Sequence, residues 1–440
     1  MTDTRTYLDG KVTLYCGDSR ERIAEMAEAS IDSIVCDPPY GLDFMGRAWD
    51  SLDGAPFAVE FWRECLRVLK PGGHLLAFGG TRTYHRLACA IEDAGFEIRD
   101  CIMWVYGSGF PKSLDVSKAI DKAAGAEREV TGVKPGHEQF ANRKTRGHID
   151  FKNGTDGFDR PWMHDEEARA RYHMATAPAT DAAKQWEGWG TALKPAVEPI
   201  VMARKPLIGT VAQNVLTHGT GAINIDGCRI GVSDGDDIHA KNRHTTGGFG
   251  HAGAAVYGTS SGAPAYDPAK GRFPANLIHD GSEEVLAGFP VSSVTGVRSE
   301  QSRDATVEGT AWLSSNHKST EYGGDSGSAA RFFYTAKADA EDRIGSKHPT
   351  VKPVDLMQWL VRLVTPKGGV VLDPFAGTGT TGEAAWREHM RAILIEREPE
   401  YQADIDRRMD LIMKPTVRAA VAKTKNKSKG FDDLPLFAGE

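Results

Sequence analysis

Cysteine is scarce and scattered in this 440-residue sequence: Cys16, Cys36, Cys65, Cys89, Cys101 and Cys228 form no CxxC pair. That spacing argues against a disulfide framework and gives no zinc site, so reduced, buried thiols and no metal centre are expected. Long apolar runs are missing as well. None approaches the roughly 20 residues needed to span a bilayer. The segment Met1-Thr2-Asp3-Thr4-Arg5 has no apolar stretch resembling a signal peptide, so a cytoplasmic protein without membrane contact is expected. A positive charge excess is also lacking. The net charge of −7 speaks against a chain that coats nucleic acid non-specifically, but not against an enzyme whose basic groups are local to a groove.

What is present is ordinary for a soluble domain: 40% hydrophobic and 26% charged residues, in a chain long enough for a full α/β core plus a second region. The first hundred residues alternate. Val12 to Cys16 reads as a strand, Arg20 to Ala29 as a helix, and Ile31 to Cys36 as a buried strand. Phe57 to Leu69 reads as a helix closed by Lys70-Pro71-Gly72-Gly73, His74 to Phe78 as a strand, and Tyr84 to Ala94 as a helix. Such alternation predicts a mostly parallel sheet with right-handed crossovers. From about Pro111 to Ser346 the pattern gives way to Gly, Asn, His, Ser and Thr, with ordered-looking pieces at Leu193 to Arg204 and Phe273 to His279. An insertion this rich in loops is expected to bind something. Regularity returns with a helix over Val354 to Val364, a strand over Val370 to Leu372, a helix over Gly382 to Glu388, a strand ending at Glu396, and a last helix over Tyr401 to Met413. From Lys414 to Gly430 the chain is basic without one acidic residue, which predicts a solvated, flexible tail, with loose attraction to a nucleic-acid backbone as the alternative.

Two segments carry chemistry. In Asp373-Pro374-Phe375-Ala376-Gly377-Thr378-Gly379 a buried strand feeds a glycine turn and then a helix. Glycine lets the backbone approach a ligand closely, and the helix start offers free N–H groups. Glu396 closes the next strand seventeen residues after Gly379, a place suited to accepting ribose hydroxyls. An adenosine-bearing cofactor is expected. No lysine follows Gly379, so the loop is not a phosphate-binding P-loop. The second segment, Asp37-Pro38-Pro39-Tyr40, ends the strand Ile31 to Cys36, where open α/β sheets place ligands. The prolines remove two donors and leave carbonyls, a carboxylate and a ring, a set suited to a planar amino group. Alone, it is equally a turn beside a core tyrosine.

Taken together, these segments resemble the DNA amino-methyltransferases, specifically the permuted β group, in which the catalytic half precedes the cofactor half. The likeness covers about residues 8 to 110 and 331 to 413, with His348-Pro349-Thr350-Val351-Lys352-Pro353 between the two motifs. Stretches such as Gly107 to Ser113 and Trp186 to Gly190 resemble phage or prophage members. The resemblance implies a Rossmann-like, circularly permuted S-adenosylmethionine-dependent methyltransferase fold with a large loop-rich insertion. Its implied layout is a catalytic half over residues 1–110, an inserted target-recognition region over 111–346, a cofactor half over 347–413 and the tail over 414–440. It further implies catalysis by Asp37, Pro38, Pro39 and Tyr40, and S-adenosylmethionine bordered by Asp373, Phe375, Gly377, Thr378, Gly379 and Thr380. In that scheme Glu396 takes the ribose, Asp18 the adenine, and Thr350 and Lys352 the methionine end. Double-stranded DNA is the expected partner, restriction–modification the expected setting, and a homodimer a compatible assembly.

The implied reaction flips a base out of the duplex and moves the methyl in line to adenine N6. Asp37 and the Pro38 carbonyl accept the amino hydrogens and Tyr40 stacks on the ring. No cysteine follows a proline, which excludes the cysteine-dependent ring-carbon chemistry of cytosine-C5 enzymes. The leading aspartate favours adenine on resemblance, and cytosine N4 is the alternative. An RNA or protein amino-methyltransferase, or a DNA-binding protein without catalysis, is more distant. In the insertion, acidic and basic residues nearly balance between Arg128 and Lys205. Trp162, Tyr172, Trp186 and Trp189 are candidates either for nucleic-acid contact or for small local cores.

Overall fold

The computed structural model describes residues 3–42, 52, 54–109, 113–134, 174–231, 271–294, 325–336, 339–346, 348 and 350–419. They form two compact units, one of residues 1–108 with 196–426, the other of residues 109–195 with 427–440.

In the larger unit the strands are β1 (Thr4–Tyr7), β2 (Val12–Cys16), β3 (Ile31–Cys36), β4 (Leu69–Phe78) and β5 (Glu97–Val105). The smaller unit contributes β6 (Val130–Val133) and β7 (Met174–Thr176), which pair antiparallel. The larger one continues with β8 (Val197–Arg204), β9 (Leu277–His279), β10 (Val291–Val294), β11 (Asp325–Ser328), β12 (Tyr334–Thr335), β13 (Val370–Asp373) and β14 (Arg391–Glu396). The helices, in chain order, are α1 (Ser19–Ala24), α2 (Val59–Val68), α3 (Tyr84–Asp93), α4 (Val116–Ala123), α5 (Asp181–Gln185), α6 (Val211–His218), α7 (Glu283–Gly288), α8 (Val354–Val364), α9 (Thr380–Arg387) and α10 (Pro399–Ile412). Of these, α4 and α5 belong to the smaller unit.

One ten-stranded sheet dominates, in the order β1-β2-β14-β13-β3-β4-β8-β5-β9-β12. From β2 to β4 every neighbouring pair is parallel, and β8 runs antiparallel between β4 and β5. All six residues of β3 and all four of β13 are buried, as expected of parallel strands covered on both faces. Strand alternation divides their side chains between two cores. Leu76, Phe78 and Val371 face a core closed by α8 and α10, while Leu75, Ala77 and Leu372 face one closed by α2 and α3. Eight of the eleven residues of α8 are buried.

The chain reaches the middle of the sheet last. β13 and β14 enter between β2 and β3, although they come more than 300 residues after β3. From β13 the chain moves to β14 on one side, and from β3 to β4 on the other. The carboxyl ends of β13 and β3 therefore flank a topological switch point, the crevice where open α/β sheets bind ligands. This is the mostly parallel, Rossmann-like α/β architecture expected, with the permuted strand order.

Two differences from the sequence reading concern the insertion and the tail. β8 lies inside the stretch read as an insertion, yet it is a central strand of the sheet and part of the larger unit. The tail reading also needs correction at its start. Arg418 is 5% exposed and donates to the Glu383 carboxylate, so residues 414–419 continue the fold; residues 420–440 lie outside the described residues.

In the smaller unit the buried Asp121 gathers the chain. It accepts from the backbone N–H groups of Ala179 and Thr180 at 2.9 and 3.0 Å and from Arg128 Nη1 at 2.7 Å. Trp186 and Trp189 pack edge to face at 5.0 Å, both with exposed surface. Trp162 and Tyr172 lie outside the described residues.

Candidate active site

The Asp373 loop is organised by its own carboxylate. Asp373, 3% exposed, accepts from the Phe375 N–H at 3.0 Å and from the Thr381 hydroxyl at 2.5 Å. Gly377 and Gly379 have φ of +51° and +77°, left-handed values that a side chain disfavours. Gly382 completes a GxGxxG spacing with them, and a Cβ there would sit 2.8 Å from Leu394. That is the close helix-to-strand packing which a third glycine in such loops permits.

From below, the loop is gripped by Arg408, fully buried on α10. Its guanidinium donates to the Thr378 carbonyl at 2.7 Å, the Thr378 hydroxyl at 3.1 Å, Glu383 at 2.7 Å and the Asp342 carbonyl at 2.6 Å. The side chains of Thr378 and Thr380 are buried, their hydroxyls 3.4 Å apart. Thr378, which the resemblance places at the cofactor, thus turns its hydroxyl to Arg408. Phe375 packs on Phe61 with ring centroids 5.2 Å apart.

Glu396 ends β14 beside this loop. One carboxylate oxygen accepts from the Gly377 N–H and the other from the Glu398 N–H, each at 2.8 Å. Each oxygen retains a lone pair, so the group fits a pair of hydroxyls. Burial pushes both Glu396 and Asp373 up to about 7, against these backbone and hydroxyl donors. β2 pairs with β14 so that Cys16 faces Glu396, and the Gly17 N–H donates to the Glu396 carbonyl at 3.0 Å. Asp18 thus follows directly on the end of β2 that is bonded to the end of β14. Its own side chain caps α1 through the Arg20 N–H and pairs with the Arg20 guanidinium at 2.9 Å, which holds it below the usual carboxylate range. The donors and glycines of this cradle fit an adenosine-bearing group.

Asp37-Pro38-Pro39-Tyr40 leaves the carboxyl end of β3, which pairs with β13. The Thr83 hydroxyl donates to the Tyr40 carbonyl at 2.6 Å. The Tyr40 hydroxyl lies 2.9 Å from Asp37 Oδ1 and 3.1 Å from Glu198 Oε2. Burial, with the charges of Asp37 and Glu198, pushes that hydroxyl well above its ordinary value, so it stays protonated.

Lys352 is brought here from the other half of the sequence. Its Nζ is 2.5 Å from Asp37 Oδ2, 3.3 Å from the Tyr40 hydroxyl and 3.4 Å from Glu198 Oε2. The ammonium also sits 4.8 Å from the centre of the Phe78 ring. Burial opposes its charge, but Asp37 and Glu198 outweigh that and raise its proton affinity. Lys352 and Asp37, given separate roles by resemblance, are thus one ion pair. Thr350 is exposed, with its backbone folded against His348 Nδ1. The His348 ring packs on Tyr401 at 4.5 Å and lies 3.4 Å from where a Cβ on Gly377 would be. Burial lowers its pKa to about 4, which keeps it neutral.

Sequence reasoning missed Glu198 and His348. Glu198 is the second residue of β8, and its only signal is an acidic residue heading an apolar strand. Burial, opposed by Lys352, raises its proton affinity.

The chain matches the N6/N4 methylase family, described as DNA methylase, over residues 31–144 and 282–407. Those segments contain both Asp37 to Tyr40 and the Asp373 loop. It is similar to the Type II methyltransferase M.HpaI of Haemophilus parainfluenzae, 33% identical over 114 residues, which span 24% of this chain and 36% of that one. It is also similar to the Type II methyltransferase M.HindIII of Haemophilus influenzae, 24% identical over 254 residues, or 48% of this chain and 64% of that one. The matches thus span about a third to two thirds of these relatives. Among solved structures, the PvuII DNA methyltransferase, cytosine-N4-specific, is 14% identical, with a TM-score of 0.41 over 96% of this chain and 97% of that one. With more than half of its residues matched, including both motif-bearing strand ends, the chain belongs to the N6/N4 DNA methylase family.

Proposed function

We propose that this protein transfers a methyl group from S-adenosylmethionine to an exocyclic amino nitrogen in duplex DNA, namely N6 of adenine. The observation that carries the reading is the adjacency of β3 and β13, which brings Asp37, just past the end of β3, near Asp373 at the head of the glycine loop. The methyl donor would lie along the Asp373 loop, with Glu396 on its ribose and Asp18 toward its adenine; when bound, it supplies an electrophilic methyl on a sulfonium. Asp37, Glu198 and Lys352 together carry one net negative charge when all are ionised, which suits a cationic donor.

The rest follows from the chain's own groups. A flipped base would stack on Tyr40. The Asp37 carboxylate and the Pro38 carbonyl would accept its amino hydrogens and aim the nitrogen lone pair. Catalysis then rests on positioning and local electrostatics, without a covalent nucleophile. The leading aspartate supports adenine, since serine there is commoner in cytosine-N4 members of the group the chain resembles. Cytosine N4 is the second reading, because both bases present the same amino geometry. Long-read sequencing of DNA from cells expressing the protein tests both. Methylated adenine in a fixed context is expected, methylated cytosine would favour the second reading, and unmodified DNA would contradict both.

A further inference from the structure

Glu198 lies outside both segments matched by the family, yet it closes the cluster around Asp37. β8 holds it firmly. Its neighbour Pro199 accepts from the Gly79 N–H at 2.9 Å, and Glu198 itself is paired in register with Trp104 of β5. Its side chain is 18% exposed, about the same as Asp37 at 19%, and Lys352 between them is 7%. Two carboxylates thus share one buried ammonium, unequally: 2.5 Å to Asp37 and 3.4 Å to Glu198.

The near contact poses a problem for the reaction. An ammonium on Asp37 Oδ2 is a nitrogen donor on the carboxylate that must receive the substrate's amino hydrogens. It takes one of that oxygen's lone pairs and competes with the substrate for the carboxylate's charge. Expelling a buried ammonium without a partner is costly, so a second acceptor must be within reach. Glu198 Oε2 is that acceptor, and it already receives the Tyr40 hydroxyl as an alternative to Asp37. Building on the methyltransferase reading above, we propose that Glu198 is a positioning residue that draws the Lys352 ammonium off Asp37 as the target amino group arrives. No bond to carbon changes in this step; one hydrogen-bond donor replaces another on Asp37.

The test compares the wild type, Glu198→Gln, Glu198→Asp, Lys352→Met and the Glu198→Gln/Lys352→Met double variant in two measurements. In methyl transfer to duplex DNA, Glu198→Gln is expected to lower kcat/KM by about 10- to 100-fold, chiefly through KM for DNA, as for loss of one partner in a buried charge pair. Glu198→Asp should recover part of it. In the Lys352→Met background the same substitution should cost under about 3-fold, because residues acting through one group are not additive. The second measurement needs no turnover: the 13Cε resonance of Lys352, assigned by its loss in Lys352→Met, should titrate at lower pH in Glu198→Gln. An unmoved Lys352 titration overturns the proposal, as does an equal Glu198→Gln penalty with and without Lys352. A moved titration in a protein that methylates no DNA overturns the methyltransferase reading, and this role with it.

Discussion

Asp37 and Lys352 lie 315 residues apart in the chain and meet at 2.5 Å in the site. The contact ties the two halves of the permuted unit at the point where their strands diverge. It also means that Asp37 cannot be changed in isolation. Asp37→Asn removes the carboxylate and leaves Lys352 with Glu198 alone. Methyl transfer should fall by at least about 100-fold, as when a preorganised electrostatic contact to the reacting group is lost. Cofactor affinity by calorimetry should fall far less than methyl transfer. Unreduced turnover would contradict the role of Asp37.

Glu396 gives a pH signature. Burial raises its carboxyl to about 7 from the ordinary 4.5. Below that it carries a proton and one oxygen is no longer a full acceptor. S-adenosylmethionine affinity should therefore strengthen as pH rises through about 7. Glu396→Gln should weaken it by about 10- to 100-fold, the loss of hydrogen bonds to a charged group, and should flatten the profile. The stability of the free protein should move the other way. A carboxyl with raised folded-state pKa contributes its full share below the unfolded value and loses it as pH rises through about 7. Asp373, also raised to about 7, adds to the same fall.

Gly379 offers a backbone test. At φ +77° an added Cβ costs about 1–2 kcal/mol, and it would lie 3.1 Å from Ile405. Gly379→Ala should lower Tm by several degrees and weaken cofactor binding, both measurable by thermal melts with and without the ligand.

How much of this was legible in the sequence depends on the range of each interaction. β3, β13 and α8 were readable from local patterns, α8 to the residue, because burial and helical spacing act within a few positions. β5 gives little alternation, being largely exposed along its first half, and β1 is a four-residue edge strand; neither was found. β4 begins at Leu69 and runs through Lys70-Pro71-Gly72-Gly73, which read as a stop signal. Asp37, the glycine turn and Glu396 were visible because each belongs to a short motif. Glu198 was not, since its meaning comes only from Lys352 and Tyr40, more than 150 residues away on either side.

Arg408 and Glu383 show the same limit. Both are fully buried and 2.7 Å apart, with nothing local to mark them. Removing Arg408 leaves Glu383 with Arg387 and Arg418, so the loss should stay below the roughly 3–5 kcal/mol of a wholly unpaired buried charge. Arg408→Met should show that loss in denaturant melts and also weaken the cofactor loop, whose Thr378 carbonyl loses its donor. Arg418→Ala should cost less, because Arg408 keeps its hold on both Glu383 and Thr378.

The most direct measurement is mass spectrometry of nucleosides from duplex DNA incubated with S-adenosylmethionine and either the wild type or Asp37→Asn. The account predicts N6-methyladenine with the wild type and at most traces with the variant. Equal methylation by both proteins, or none by the wild type, would contradict it.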